Sequence, residues 1–401
     1  MDLKSGSLFW PAQDGHTRRR YPPLQRDLHC DVAIIGAGLT GALVGLALTK
    51  GGIDAVLLDK RNVAQGSTSA STALILYEID TPLFELIRMR GRRAAVRSYE
   101  LCRRAIGQIE RLTDELDDDC GFERKLSLYC AQRPSHLTEL KKELRARNQA
   151  GFNVEYLTAA DLVEEFSFHA PAALLSPEAA QIDPYRFTHC LVEHARKKGL
   201  RVFGGTRVAR LEQSNSGVTL QTASGKRVMA KKIVVAAGYE SQEYLRRDLV
   251  KLKSTYALAT APLTNFGQYS HRCVIWETGR PYCYLRTTAD HRIIIGGQDE
   301  DFVNPSKRDR LIRSKSEALR EKVEAWFPHL TVKTACAWAG TFGETEDGLP
   351  LIGSLRVMPN IIFALCYGAN GTNFGVIAAD LVRDQVLGRR NADAGLFSLD
   401  R

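Results

Sequence analysis

Residues 31–60 read DVAIIGAGLTGALVGLALTKGGIDAVLLDK. The apolar run DVAII (31–35) is the length of one buried strand, and AVLLD (55–59) is a second. Between them LVGLALTKGG carries a helix that stops at Gly51-Gly52. Strand, glycine turn, helix and strand demand a parallel sheet, because only parallel neighbours need such a crossover. Gly36-Ala37-Gly38-Leu39-Thr40-Gly41 matches G-x-G-x-x-G. In that pattern Gly36 permits a tight turn with positive φ, Gly38 lets a pyrophosphate approach the backbone, and Gly41 lets the helix pack on the strand. The helix N-terminus adds free N–H groups and a partial positive charge. Asp59 ends the second strand 23 residues past Gly36, close to the roughly 20 of a carboxylate on a ribose 2′-hydroxyl. A 2′-phosphate is repelled there, although Lys60 and Arg61 soften that exclusion. The unit reads as a dinucleotide cradle.

Around this unit the chain runs to 401 residues. At roughly 100–200 residues per domain, that is two domains or one large α/β unit. Hydrophobic residues make up 44% and charged residues 25%, which excludes collagen, a disordered chain and a small disulfide scaffold. No apolar stretch of about 18 residues stands ready to span a membrane. The N-terminal MDLKSGSLFWPAQDGHTRRRYPP lacks the apolar segment of a secretory signal. Nine cysteines (30, 102, 120, 130, 190, 273, 283, 336 and 366) are odd in number and never spaced C-x-x-C. They fit a reducing cytoplasm better than a disulfide framework or a zinc site. The net charge is +9, with basic clusters at Arg18-Arg19-Arg20 and RMRGRR (88–93). These lack interleaved aromatics and no nucleic-acid motif follows, so they read as solvated surface and no nucleic-acid partner is expected. A positive field still helps to hold two phosphates.

Residues 1–29 are polar and aperiodic, an extended arm pinned by Trp10 and Tyr21. Residues 82–118 recur at near-helical spacing, with Gly91 as an interruption or joint. The acidic run DELDDD (114–119) reads as a solvated helix end rather than a metal site. KLSLYC (125–130) is a strand, and 135–151 a helix with Ser135 as N-cap and Gly151 as stop. Residues 184–199 open with proline and close with glycine, a helix with both terminal signals. Residues 200–238 alternate and turn at Asn215-Ser216-Gly217 and Ser224-Gly225, giving a strand, a meander and the buried strand IVVAAG. YCYLRTT and RIIIGG flank a turn at Ala289-Asp290. A charged helix (306–326), the strand IIFALC (361–366) and a last helix (375–388) complete the reading.

Three further stretches bear a resemblance. GSTSASTALI (66–75) looks like the small-residue loop that follows the ribose carboxylate in the FAD-dependent D-amino acid oxidase/glycine oxidase/sarcosine oxidase family. IVVAAGYES (233–241) is similar to that family's second strand-turn, and AWAGTFGETEDGLPLIG (337–353) with FALCYGANGTNFGVIAADLV (363–382) to its C-terminal signature. YCYLRTTADHRIIIGG (282–297) resembles its substrate-domain strand pair, in a form similar to γ-glutamylputrescine oxidoreductases. The resemblance covers residues 30 to 390 in order. It implies an α/β fold: a Rossmann-type FAD-binding domain with a discontinuous antiparallel-sheet substrate domain. FAD binding then uses 30–90, 180–245 and 336–401, and the substrate domain 91–179 and 246–335, after the arm of 1–29. The implied cofactor contacts are Gly36, Gly38, Leu39, Thr40, Gly41, Asp59, Lys60 and Arg61 at the cradle. Gly66, Ser67, Ser69, Ala70, Ser71 and Thr72 follow in the loop. Val208 is placed at the adenine and Ala236, Ala237 and Gly238 at the second turn. Gly340 is a further implied contact, and Gly368, Asn370, Gly371, Thr372 and Asn373 are placed at the flavin's pyrimidine edge.

Members of that family oxidise a C–N bond by passing a hydride equivalent from carbon to flavin N5, and positioning dominates. Three positions depart from the amino-acid-oxidising pattern. Phe342 stands where glycine oxidases carry an arginine for the substrate carboxylate, four residues after Trp338. Ile294 stands where sarcosine oxidases place a lysine, which disfavours fast reaction with oxygen, and Asn373 replaces another basic residue. Gly340 and Ala70 occupy the positions of the residues that carry covalent flavin in sarcosine oxidase and dimethylglycine dehydrogenase, so FAD is expected to be non-covalent. Tyr284 and Arg286 alternate on one strand face and are the expected substrate contacts, with Arg286 replacing the missing carboxylate arginine. Tyr77 and Glu78, just past the loop, are candidates for the pocket lining, with packing as the competing role. No metal site is expected, since the histidines do not cluster. The expected activity is oxidation of an amine or N-substituted amino acid to an imine, with oxygen or a redox partner as acceptor. Two alternatives stay open: hydroxy-acid oxidation on the same fold, and a non-catalytic flavin-bearing subunit or assembly factor.

Overall fold

Residues 31–35 have a strand on either side, and helices cover the sheet they join, so the run is apolar throughout rather than alternating. In the computed structural model they belong to the strand Leu28–Ile35, which pairs in parallel with Ala55–Leu58 and with Arg227–Val235. Val32, Ala33 and Ile34 are buried there. The structure describes residues 1–13, 19–214, 217–245, 249–266, 269 and 272–401. Arg18 of the first basic cluster and Asn215-Ser216 of the expected turn lie outside them. Met358–Leu365 adds in parallel beside Arg227–Val235, Leu351–Leu355 closes that edge, and Arg201–Phe203 closes the other. The ribbon of Val208–Ser214 and Gly217–Thr222 folds back on Arg227–Val235. Helix Leu39–Lys50 packs against both Pro184–Lys197 and Gly371–Val386. The last helix begins at Gly371, ahead of the expected start at 375, so the glycine-rich stretch supplies its first turn.

A second sheet of ten strands lies alongside. Its order is Lys4–Gly6, Thr334–Glu344, Lys251–Thr260, Ile293–Glu300, Cys283–Thr287, Val274–Glu277, Glu123–Cys130, Ala172–Gln181 and Leu74–Leu76, with Glu155–Thr158 also on Ala172–Gln181. Neighbours are antiparallel except Val274–Glu277 beside Glu123–Cys130. Cys283–Thr287 and Ile293–Glu300 are the pair read from YCYLRTT and RIIIGG. Gly91, at φ +77°, joins two helices, Leu83–Arg90 and Arg92–Glu115. Ser135 is not an N-cap: Pro134 starts a 3-10 turn over Pro134–His136, and the α-helix runs from Leu137 to Gln149 without a side-chain cap. The arm is more than extended coil. Lys4–Gly6 pairs with residues 338–340, and Trp10 and Tyr21 are buried. Thr334–Glu344 lies in this second sheet, so the change of sheet falls after Glu344 rather than at 336.

Candidate functional site

The carboxyl ends of the parallel strands open on one cavity, where open α/β sheets take their ligands. Gly36 turns there at φ +106°, and a Cβ on it would stand 2.4 Å from the Ala236 carbonyl oxygen. A Cβ on Gly41 would stand 1.8 Å from the Gly36 carbonyl oxygen, so the helix reaches the turn only because no side chain intervenes. The Leu39 N–H donates to Thr68 Oγ1 at 3.1 Å. Asp59 is fixed by two backbone donors: Ala37 N–H to Oδ2 and Arg61 N–H to Oδ1, each 2.7 Å. Burial pushes its carboxyl up, and those two N–H groups oppose the rise. Lys60 and Arg61 both turn to the one Glu240 carboxylate, at 2.7 and 3.0 Å, which the Met1 ammonium also reaches at 3.1 Å, so positive charge is left over at this rim.

The loop after the cradle is held from behind. It forms a 3-10 turn over Ser67–Ala70, and three distant side chains take its carbonyls. Trp338 Nε1 donates to Ala70 at 2.9 Å and Trp10 Nε1 to Ser71 at 2.6 Å. Arg286 Nη1 donates to Thr72 at 3.3 Å, Ala73 at 3.0 Å and Ile182 at 2.7 Å. Ser67 Oγ, in a residue that lines the cavity, is buried without a protein partner. On the opposite wall Asn370 Nδ2 donates to the Leu76 and Glu78 carbonyls at 2.8 and 2.7 Å, fixing the turn that leads into helix Gly371–Val386. A glycine turn with no room for Cβ, two helix N-termini, an anchored carboxylate and an orphaned hydroxyl fit a dinucleotide.

The far end of the cavity is aromatic and acidic. Trp276, Tyr282, Tyr284, Phe342 and Thr255 line it together with Glu78, Asp80 and Asp299. Tyr284 lies against Gly296, where a Cβ would meet its ring at 2.5 Å. The Tyr282 hydroxyl donates to Asp80 Oδ1 at 2.7 Å. Burial pushes the Tyr284 phenol well above its ordinary range, so it stays protonated.

Of the residues expected from sequence, Gly41, Ser69, Asn373 and Arg286 stand behind the cavity, and the others line it. Gly41 packs the helix, Ser69 Oγ donates to the Gly66 carbonyl, and Asn373 Nδ2 donates to the Leu76 and Cys102 carbonyls. Arg286 is corrected from a substrate contact to a buttress, because its guanidinium is buried and committed to backbone carbonyls. Glu78 lines the cavity, whereas Tyr77 stacks on Phe152 at 5.0 Å in the core. Sequence reasoning missed Trp276, Tyr282, Asp80 and Asp299. Tyr282 was within reach, two residues before Tyr284 on the same alternation. Among the described residues one group of ligand-type atoms stands together, Asp118, Cys120 and Cys190. Both Asp118 oxygens are already taken by Arg186, at 2.6 and 2.5 Å.

The family model described as "DAO: FAD dependent oxidoreductase" matches residues 31–385. A Bacillus subtilis (strain 168) protein, YhfW, assigned by inference as a Rieske 2Fe-2S iron-sulfur protein, is 25% identical over 95% of this chain and 73% of its own length. Gamma-glutamylputrescine oxidoreductase of Escherichia coli (strain K12) is 23% identical over 92% of this chain and 87% of its own. The crystal structure of glycine oxidase from Geobacillus kaustophilus superimposes with a TM-score of 0.77 at 21% identity, covering 93% of this chain and 99% of that one.

Proposed function

This chain belongs to the FAD dependent oxidoreductase family, and from that premise we propose that it oxidises the C–N bond of an amine or N-substituted amino acid to an imine, which water hydrolyses. One observation carries the reading: a single cavity runs from the Gly36–Gly41 turn to Trp276, Tyr282 and Tyr284. FAD, when bound, supplies the hydride acceptor. The Gly36–Gly41 turn and the Ser67–Thr72 loop hold its pyrophosphate in this reading. Asp59 holds a ribose, Val208 meets the adenine, and the backbone of Ala236–Gly238, Gly340, Gly368 and Asn370–Thr372 meets the ring. The chain's own part is positioning and exclusion of water. Tyr282 and Tyr284 wall the reacting carbon, and the protonated Tyr284 phenol orients as a donor rather than acting as a base. Non-covalent binding follows in this reading from Gly340 and Ala70, which line the cavity and carry no nucleophile. The names of two relatives, an oxidase of glycine and an oxidoreductase of γ-glutamylputrescine, support a nitrogen-bearing substrate. We keep the discontinuous division into FAD-binding and substrate domains, with the last FAD-binding segment beginning after Glu344.

A substrate carboxylate, on a hydroxy acid or an amino acid alike, needs a cation, so the lining weighs toward the amine within this reading. Among the described lining residues the cations are Lys60, Arg61 and Arg207, all at the Asp59 end. Among the described residues no helix is long and apolar enough to cross a membrane. All nine cysteines are unbridged, which supports a reducing cytoplasm. The test is an anaerobic titration of the yellow protein with D- and L-amino acids, N-methyl amino acids, amines and hydroxy acids. Bleaching with release of ammonia or a smaller amine is expected. Bleaching by hydroxy acids alone overturns the reading. Admitting air afterwards separates oxidase from dehydrogenase by the speed of recolouring.

A further inference from the structure

Asp299 lines the far end of the cavity, and its Oδ1 is shielded from solvent without a hydrogen-bond partner. Two cations, Lys253 and Arg280, act on it through their field without a direct ion pair. Lys253 pairs with Glu344 at 3.4 Å, and Arg280 pairs with the same carboxylate. Glu78, also lining and 2% exposed, repeats the pattern. Its Oε1 shares Arg147 with Glu143, at 3.3 and 2.6 Å, while its Oε2 has no partner. A single guanidinium thus serves two carboxylates, and burial pushes the Glu78 carboxyl up against the Arg147 charge. A buried carboxylate oxygen without a partner is costly, and a cation brought by a ligand relieves that cost. Trp276, Tyr282 and Tyr284 surround the same space, and aromatic faces also attract ammonium groups.

We propose, resting on the amine-oxidising reading above, that the substrate carries a second cationic nitrogen besides the one that is oxidised, and that Asp299 seats it: a diamine or polyamine rather than an α-amino acid. Asp299 is a specificity residue. Burial pushes the Asp299 carboxyl up to about 6, against the Thr255 hydroxyl and the charges of Lys253 and Arg280, with Glu344 adding to the rise. The carboxylate is therefore charged at neutral pH and protonates just below it.

The test uses the FAD-loaded full chain with 1,4-diaminobutane, spermidine, n-butylamine, glycine and sarcosine. The concentration that half-bleaches the flavin anaerobically is expected to be at least about ten-fold lower for the diamine than for the monoamine, the factor that about 1.4 kcal/mol of recognition supplies. In Asp299→Asn that ratio is expected to approach one, and Asp299→Glu to restore part of it. Lowering the pH from 7.5 to 5.5 in the wild type is expected to shrink the ratio as well, which a merely structural aspartate does not do. Calorimetry of the same amines on the oxidised holoprotein reads the preference without turnover and also serves if a variant misfolds. Bleaching by glycine or sarcosine with no diamine preference overturns the inference and leaves amine oxidation standing. No diamine preference in wild-type binding overturns it as well. Bleaching by hydroxy acids alone overturns both.

Discussion

Gly41 shows how little freedom single positions of the cradle have. Its missing Cβ leaves 1.8 Å to the Gly36 carbonyl oxygen, while Gly395 has no atom within 4 Å of the same point. Overpacking of this kind costs about 1–3 kcal/mol. Gly41→Ala is therefore expected to weaken FAD binding about ten- to hundred-fold, and Gly395→Ala to leave it alone. The ratio of flavin to protein absorbance after gel filtration reads both. Arg286 gives the second test, since its bonds to the Thr72 and Ala73 carbonyls, with those to Ile182 and Thr287, make it a brace for the loop. Arg286→Met orphans those carbonyls and is expected to cost about 3 kcal/mol in urea unfolding. A variant of unchanged stability that only raises KM would return Arg286 to the substrate. Glu240 sets an acid limit. Burial alone would raise its carboxyl, but hydrogen bonds from Arg61 and Lys60 hold it at about 2. Its folded value lies below its unfolded one, so the stability it contributes is complete above about 4.5 and is lost as the pH falls toward 2, on the order of 3 kcal/mol. Glu240→Gln is expected to lose that stability at pH 7 and to flatten the fall between pH 4.5 and 2, followed by urea midpoints.

At the scale of elements, legibility depended on whether local pattern and tertiary role coincide. Residues 31–59 have both: a buried parallel strand must be apolar, the crossover needs a helix, and the close helix–strand approach needs glycine. Cys283–Thr287 and Ile293–Glu300 were readable for a similar reason, as neighbouring runs joined by a short turn. Ala172–Gln181 was not. Its alanines carry no period, and Pro177 argues against a central strand. The fold accommodates that proline where the pairing with Glu123–Cys130 shifts register, between Lys125 and Ser127. Of the acidic end of the cavity only Glu78 was legible, because Asp80 and Asp299 lie over two hundred residues apart and meet through tertiary structure alone. The arm is a third case: three residues pairing with 338–340 are too short a strand to announce themselves. Its consequence is testable. Leu3 O accepts from Thr341 N–H at 2.8 Å, and Trp10 then reaches the Ser71 carbonyl, so the arm straps the cofactor loop. Trp10→Phe keeps the ring and removes the donor, at about 1–2 kcal/mol. Flavin release on dilution is expected to quicken about five- to thirty-fold by that energy, monitored by flavin fluorescence.

The whole molecule is organised around a cavity that neither sheet encloses by itself. Ile35, Leu58 and Ala364 reach it from the parallel sheet, and Thr255, Trp276, Tyr284 and Gly340 from the ten-stranded one. A cofactor seated there touches both sheets at once. An unfolded chain offers no such site, so binding free energy adds to stability by mass action, about 2.7 kcal/mol at a hundred-fold excess over Kd. For large domains each kcal/mol moves the midpoint by about 2–4 °C, so stripping FAD is expected to lower Tm by about 5–10 °C. Adding it back is expected to restore the midpoint in proportion to the logarithm of its concentration. The balance of charge predicts which dinucleotide does this. Lys60 and Arg61 are held back on Glu240, and Asp59 presents a carboxylate where a 2′-phosphate would sit. NADP is therefore expected to leave the midpoint of the stripped protein unchanged, and FAD to raise it. Scanning fluorimetry of the same preparation with each compound decides the point: equal stabilisation by both would mean that the Asp59 rim does not select, and no stabilisation by FAD would remove the link between this cavity and the cofactor.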